Sequence, residues 1–302
     1  MELTLNPKWQ ALLDTPGLTD LVLNGSDHTY IDVGDGLVRV ANPFESNSQL
    51  VDELIELGYL TGNRIDVSKP ISDFSINSAR FHAVLPFGVC AMPLVSIRKH
   101  PNVSITLEHL LEASMLTQKQ LDFLVLSLDQ KKSMLVAGPT SAGKTTLLSA
   151  LLSRLNERVI CLEQIPELFV TQPAISLTER VNNQEGLGAV SLQQLVIEAL
   201  RMRPDRIVVG EVRGSEFGVL LQAMNNGHAG AMTTVHASRL SDIPARLMLL
   251  GQLSNLSSTL TSKLVGGSFD LALQVQRVNG RRVLTNIGEF TGRGLEIREV
   301  TL

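Results

Sequence analysis

Eight consecutive residues, Gly138-Pro139-Thr140-Ser141-Ala142-Gly143-Lys144-Thr145, satisfy the spacing G-x-x-x-x-G-K-[ST]. Each residue type has a task if a polyphosphate is to be held. Gly138 and Gly143 let the backbone bend so that successive N–H groups face one point. Lys144 supplies a cation for the β- and γ-phosphates, and the Thr145 hydroxyl suits Mg²⁺. Thr146 opens a helix whose positive end faces the same anion. The flanks agree, because Ser133-Met134-Leu135-Val136-Ala137 reads as a short buried strand and Thr146 to Leu155 carries leucines at helical spacing. With glycine at about 7% of residues, a chance match in a chain this long is on the order of one in a hundred. The stretch from Gly138 to Thr146 therefore predicts nucleotide binding.

Acidic residues stand where such a loop would need them. Glu211 ends the β-branched strand Ile207 to Val209. In P-loop ATPases that strand is expected beside the P-loop strand, with its terminal acid near Mg²⁺ and the attacking water. Gly210 precedes Glu211, so the usual magnesium-holding Asp is missing. Glu211 then reads as general base or water-positioning group, the alternative being a strand-end Glu paired with Arg213. Glu163 and Glu167, in Cys161-Leu162-Glu163-Gln164-Ile165-Pro166-Glu167-Leu168, follow the first strand after the P-loop helix. They could reach Mg²⁺ through water, since that ion keeps several waters and needs few direct ligands. A solvated strand end is the alternative.

The elements that must position these groups fall into two halves. From residue 133 onward, apolar strands (Val159–Leu162, Arg206–Val209, Ala231–Val235) alternate with helices (Leu192–Met202, Ser215–Asn225, Pro244–Leu250 and later segments). A hairpin, Phe269–Val275 with Arg282–Ile287, turns around Val278-Asn279-Gly280. This alternation predicts a mostly parallel, doubly wound sheet. Before it, short strands (Leu18–Val22, His28–Val33, Leu37–Val40, Asp73–Ile76, Ala79–Leu85, Met92–Arg98) surround a helix from Phe44 to Leu57 with Gly58 as its C-cap. The fold class is α/β: a C-terminal P-loop domain at 113–302, a smaller α+β N-terminal domain at 1–100, and a linker at 101–112 opening on Lys99-His100-Pro101-Asn102. Helices over Glu108–Met115 and Gln118–Leu128 lead into the P-loop strand.

The 302 residues suffice for two cores, and 44% hydrophobic with 19% charged residues is globular. A net charge of −4 offers no broad basic surface, so no direct nucleic-acid partner is expected. Cys90 and Cys161 are too few for a tetra-cysteine zinc site or a disulfide scaffold. Met1-Glu2-Leu3-Thr4-Leu5-Asn6-Pro7 lacks the basic and apolar regions of a signal peptide, and no apolar run approaches the ~20 residues of a membrane span. The expected location is cytoplasmic.

The motifs together resemble the type II/type IV secretion traffic ATPases. The P-loop matches. Leu162-Glu163-Gln164-Ile165-Pro166-Glu167-Leu168 stands where that family has its Asp box. Leu200-Arg201-Met202-Arg203-Pro204-Asp205-Arg206-Ile207-Val208-Val209-Gly210-Glu211-Val212-Arg213-Gly214 is similar to its atypical Walker B region. Asn226-Gly227-His228-Ala229-Gly230-Ala231-Met232-Thr233-Thr234-Val235-His236-Ala237 resembles its His box. The likeness is nearest to the CpaF/TadA branch, which powers Tad (Flp-type) pilus assembly, although the helical N-terminal extension common in that branch is not expected here. Upstream it extends through Asp66-Val67-Ser68-Lys69-Pro70, Arg80 to Pro86 and Leu94 to Arg98, and more loosely before residue 60.

The resemblance implies a RecA-like ATPase domain, ATP and Mg²⁺ as cofactors, and a homo-hexameric ring. It also implies a motor that sits at the inner face of the cytoplasmic membrane through inner-membrane platform proteins, with nucleotide between the two domains. It implies that Arg80 and Arg98 reach the phosphates, as always-charged guanidinium groups that can bind them bidentately. His228 and His236 would couple the site to domain or subunit contacts, and Arg201 and Arg203 would support the sheet end or subunit contacts. The family's Asp after the first Glu of the Asp box is Gln164 here, which would leave the function to Glu163 and Glu167. The missing four-cysteine insertion argues against a zinc-binding extension ATPase. The alternatives are a conjugation or type IV secretion ATPase of the same fold and a weakly hydrolysing ATP-binding ring subunit. A small-molecule kinase would leave the His box and long N-domain without a use.

Overall fold

The computed structural model describes the chain apart from residues 1–4, 35, 78, 100–103, 169–172, 181 and 183–187. The extreme N-terminus and His100-Pro101-Asn102, where the linker was expected to open, thus lie outside the described residues. Two compact units are present, one taking in Met1–Asn102, the other Val103–Val181 and Gly188–Leu302.

In the first unit, α1 (Pro7–Leu13) starts at Asn6, whose side chain accepts the Lys8 N–H at 2.7 Å. Then come β1 (Asp20–Asn24), β2 (His28–Asp32), β3 (Leu37–Val40), α2 (Asn47–Leu60), β4 (Ile71–Ile76), β5 (Ala79–Val84) and β6 (Leu94–Lys99). The strands form an antiparallel sheet ordered β3-β2-β1-β6-β5-β4. Alternation sorts its faces: Phe81, Ala83, Val95 and Ile97 are buried, whereas Arg80, His82, Ser96 and Arg98 are not. The buried face shares one core with α1 and α2, centred on Trp9, whose ring lies 4.8 Å from Phe44 and 5.5 Å from Phe81.

The helix expected over Phe44–Leu57 begins three residues later and ends at Leu60. Ser46 supplies the start, its hydroxyl accepting the Gln49 N–H at 3.2 Å. Gly58 is no C-cap. It is buried inside α2, and a Cβ there would meet Ile65 Cγ2 at 2.5 Å, so it admits the returning chain.

The second unit runs α3 (Leu107–Glu112), α4 (Gln118–Asp129), β7 (Met134–Ala137), α5 (Lys144–Ser153), β8 (Val159–Glu163), β9 (Ile175–Thr178), α6 (Leu192–Ala199), β10 (Arg206–Val209), α7 (Glu216–Asn225), β11 (Met232–Val235), α8 (Ile243–Leu253), α9 (Ser258–Ser268), β12 (Leu271–Val278), β13 (Arg281–Phe290) and β14 (Ile297–Val300). Its sheet is ordered β14-β13-β12-β7-β11-β10-β8-β9, parallel from β12 to β9 with β13 and β14 as an antiparallel edge. Both faces are covered, which explains the continuous apolar runs of the central strands. Met134 and Val136 pack in a core with residues of α3, α4 and α5; Leu135 and Ala137 pack in another with residues of α6 to α9.

Several elements differ from the sequence expectation. β11 lies between β7 and β10, so the strand leading to Glu211 is not beside the P-loop strand. Part of the expected linker, Leu107–Glu112, is α3, with Leu107 and Leu110 buried in the second unit's core. The helix from Leu192 stops at Ala199 and tightens into a 3₁₀ turn over Leu200–Met202, closed by Arg203 at φ 54°. The strands β9 and β14 were not foreseen; each has four residues and none is fully buried. The hairpin turn is Asn279-Gly280, with φ 49° and 82°, the positive pair that a tight two-residue turn requires.

Candidate functional site

β7 runs straight into the loop, and α5 begins at Lys144. Gly143 is its N-cap at φ 98°, a conformation suited to glycine. The first N–H groups of α5 therefore have no carbonyl of their own helix to bind and face outward at its positive end. The loop stands at the carboxyl end of a parallel sheet. There β7 and its successor β8 are separated by β11 and β10, a crossover that leaves a crevice suited to ligands.

Lys144 is buried and curls back on the loop, donating to the Pro139 carbonyl at 3.0 Å and to His236 Nδ1 at 3.3 Å. Burial holds its pKa below the ordinary lysine value, with Glu211 opposing. A proton received at Nδ1 leaves the ring's own proton on Nε2. That atom stands 2.6 Å from Glu211 Oε1, close but not aligned as a hydrogen bond. Burial, and then the Lys144 charge, push the His236 pKa down, so the ring is neutral at pH 7. Glu211 Oε2 accepts from Arg213 Nε at 2.8 Å. A continuous polar chain thus runs Lys144, His236, Glu211, Arg213. Both earlier readings of Glu211 meet in it: the carboxylate is paired with Arg213 and also faces the P-loop lysine through one imidazole.

The second pair of acids closes the other side. Glu163 ends β8 and is buried, its Oε1 accepting the N–H groups of Glu167 at 2.9 Å and Leu168 at 3.0 Å. Its Oε2 is buried without a hydrogen-bond partner among the described residues, and burial pushes its pKa up to about 7. Gly210 explains the missing acid before Glu211. A Cβ at 210 would stand 2.9 Å from Glu163 Cγ, so Glu163 fills the space a side chain there would take. Glu167 Oε2 accepts from Thr145 Oγ1 at 3.4 Å. Gln164, the departure from the family pattern, is exposed. These residues fit a hard cation held through few protein ligands: a hydroxyl, a carboxylate beside it, and a buried carboxylate oxygen in need of a partner.

Other predicted residues lie elsewhere. His228 sits on the chain leading into β11, whereas His236 follows that strand; nearby, the Gly230 N–H donates to Ser133 Oγ just before β7. Four strand residues, roughly 13 Å of rise, separate the two histidines. His228 is therefore at the sheet end opposite the P-loop, and a catalytic role for it is not carried by this chain's geometry. Arg201 pairs with Glu198 at 2.9 Å. Arg80 and Arg98 belong to the first unit, directly opposite one another on β5 and β6; Arg80 is 3.4 Å from Asp73 and Arg98 3.1 Å from Asp20. Like charges in register disfavour a sheet, and the flanking acids offset this.

Sequence reasoning gave Gln274 no role. It is buried on β12, and its Nε2 donates to the carbonyls of Ala237 at 3.2 Å and Ser238 at 3.3 Å, pinning the chain just after His236. A polar residue within the apolar run Leu271-Ala272-Leu273-Gln274-Val275 was the available signal. Arg206 is buried too, its Nη2 donating to Leu128 O at 2.6 Å beside Glu157, and so ties β10 to the end of α4.

The chain is similar to several known proteins. The family described as "Type II/IV secretion system protein" matches residues 12–270. The conjugal-transfer-type protein Rv3659c of Mycobacterium tuberculosis (strain H37Rv) is 35% identical over 97% of this chain and 86% of its own length. Conjugal transfer protein TrbB of Rhizobium radiobacter is 27% identical over 90% of this chain and 83% of its own. Among solved structures, the pilus retraction motor PilT with bound ADP aligns at a TM-score of 0.65 and 18% identity, over 99% of this chain and 84% of that one, a likeness of fold. With the family matched across both units and a relative alignable almost end to end, the chain belongs to the type II/IV secretion system protein family.

Proposed function

We propose that the protein is an ATP-hydrolysing motor subunit of a conjugation or type IV secretion machine. The observation that carries the ATPase reading is the polar chain from Lys144 through His236 to Glu211, which links the phosphate-binding cation to the acid just after β10, across the intervening β11. The loop from Gly138 to Thr146 binds the phosphates. Lys144 exchanges its contacts with Pro139 and His236 for phosphate oxygens. His236, released, lets the Glu211 carboxylate orient water and accept its proton. Thr145 and Glu167, with Glu163 behind them, would hold Mg²⁺, which neutralises developing charge on the phosphates when bound. Arg80 and Arg98 serve as further phosphate contacts in this reading. The conjugal-transfer names of the relatives support the choice of machine. Tad pilus assembly rests on the CpaF/TadA likeness of the motifs. A homo-hexamer acting on inner-membrane platform proteins belongs to the same proposal.

The test is steady-state hydrolysis of Mg-ATP, with particle mass recorded with and without nucleotide. Lys144→Ala and Glu211→Gln should each lower turnover at least about 100-fold, and nucleotide should favour a six-subunit mass. Nucleotide binding with turnover unchanged by Glu211→Gln would favour the weakly hydrolysing ring subunit instead.

A further inference from the structure

The hairpin β12–β13 reaches beyond the P-loop. β12 pairs with β7 only from Leu271 to Gln274, so Val275 to Val278 and the facing residues of β13 project past the end of β7. Leu284 on β13 is buried in the core that also holds Leu147 and Leu148 of α5. Arg282, two residues before it, shares that face by strand alternation. Its aliphatic stem lies on the P-loop: a Cβ built at Gly143 would stand 3.1 Å from Arg282 Cδ and 3.7 Å from its Cβ. The placement is fixed from two sides. Arg282 is in register with Arg277 on β12, and the Leu284 N–H donates to Met115 O at 2.9 Å. Nearby arginines are engaged, Arg277 with Gly280 O and Arg213 with Glu211. The Arg282 side chain forms no hydrogen bond or ion pair with a described residue.

We propose that Arg282 is a further nucleotide-contacting residue, its guanidinium set over the mouth of the phosphate loop to bind the phosphate tail from the hairpin side. The inference rests on the nucleotide-site reading above. Its chemistry is that of a permanently charged group, anchored by its stem and not neutralised by an acid, beside the N–H groups that face the anion.

The test is calorimetric titration of the full chain with Mg-ATPγS and with magnesium tripolyphosphate. Arg282→Ala should weaken both about tenfold and flatten the salt dependence of binding. Arg282→Lys should recover part of the loss. Arg281→Ala, from the other face of the strand, should change neither, and the nucleotide-free unfolding temperature should stay constant throughout. Wild-type affinity in Arg282→Ala, with binding still abolished by Lys144→Ala, overturns the inference and leaves the nucleotide site standing. Weakened ATPγS with unchanged tripolyphosphate also overturns it, in favour of contact with the base. No binding by the unaltered chain removes the nucleotide-site reading itself.

Discussion

Burial makes the charge of Glu163 costly, and nothing among the described residues meets its Oε2. Its pKa is pushed from 4.5 up to about 7, so the folded chain binds a proton there that the unfolded chain releases between those values. The associated stability is fully present below 4.5 and is lost as pH rises through about 7. Glu163→Gln, measured without nucleotide or metal, should therefore match the unaltered protein near pH 4 and be more stable near pH 8, by about 2–3 kcal/mol. Chemical denaturation at the two pH values reads this directly, and equal stabilities at both would remove the burial argument. The same substitution should lower ATP turnover, because the orphaned oxygen then has no charge to offer a hydrated cation. His236 has the opposite slope: its folded pKa lies below the ordinary 6.5, so its share of stability is lost as pH falls through and below that value.

At the scale of elements, β12 is more than an apolar strand, since Gln274 holds the Ala237 and Ser238 carbonyls. Gln274→Leu should cost about 1–2 kcal/mol in stability by taking the side-chain donor from the Ala237 carbonyl, whereas the Ser238 carbonyl keeps Gln276 Nε2 at 3.0 Å. Through His236 it should also lower kcat more than it raises KM, which steady-state kinetics would resolve. β7, the phosphate loop and α5 were legible in the sequence because a phosphate cradle fixes residue type at fixed spacing, and local patterning supplied the flanking elements. Strand order was not legible. Nothing local to Ile207–Val209 says that β11 will intervene before β7, although that insertion is what puts His236 between Lys144 and Glu211. Similarly, Gly210 reads as a lost acid until the side chain of Glu163 is seen against it. The two histidines of one motif stand at opposite ends of β11, a strand that the apolar run Ala231–Val235 already marked in the sequence.

Across the whole molecule, Lys144, Glu163, Glu167, Glu211 and His236 all lie in the second unit, whereas Arg80 and Arg98 lie in the first. No described helix is long and apolar enough to cross a membrane. Each unit has its own core, and the chain's single tryptophan, Trp9, lies at 0% exposure in the core of the first. Denaturant titration should accordingly give a fluorescence transition for the first unit alone, while circular dichroism averages both. Coincident midpoints would mean that the units unfold as one. The same placement makes the protein its own optical sensor. The phosphate loop contains no indole and Trp9 lies in the other unit. Any change in tryptophan emission on adding nucleotide would then register communication between the units in real time, in the unlabelled chain.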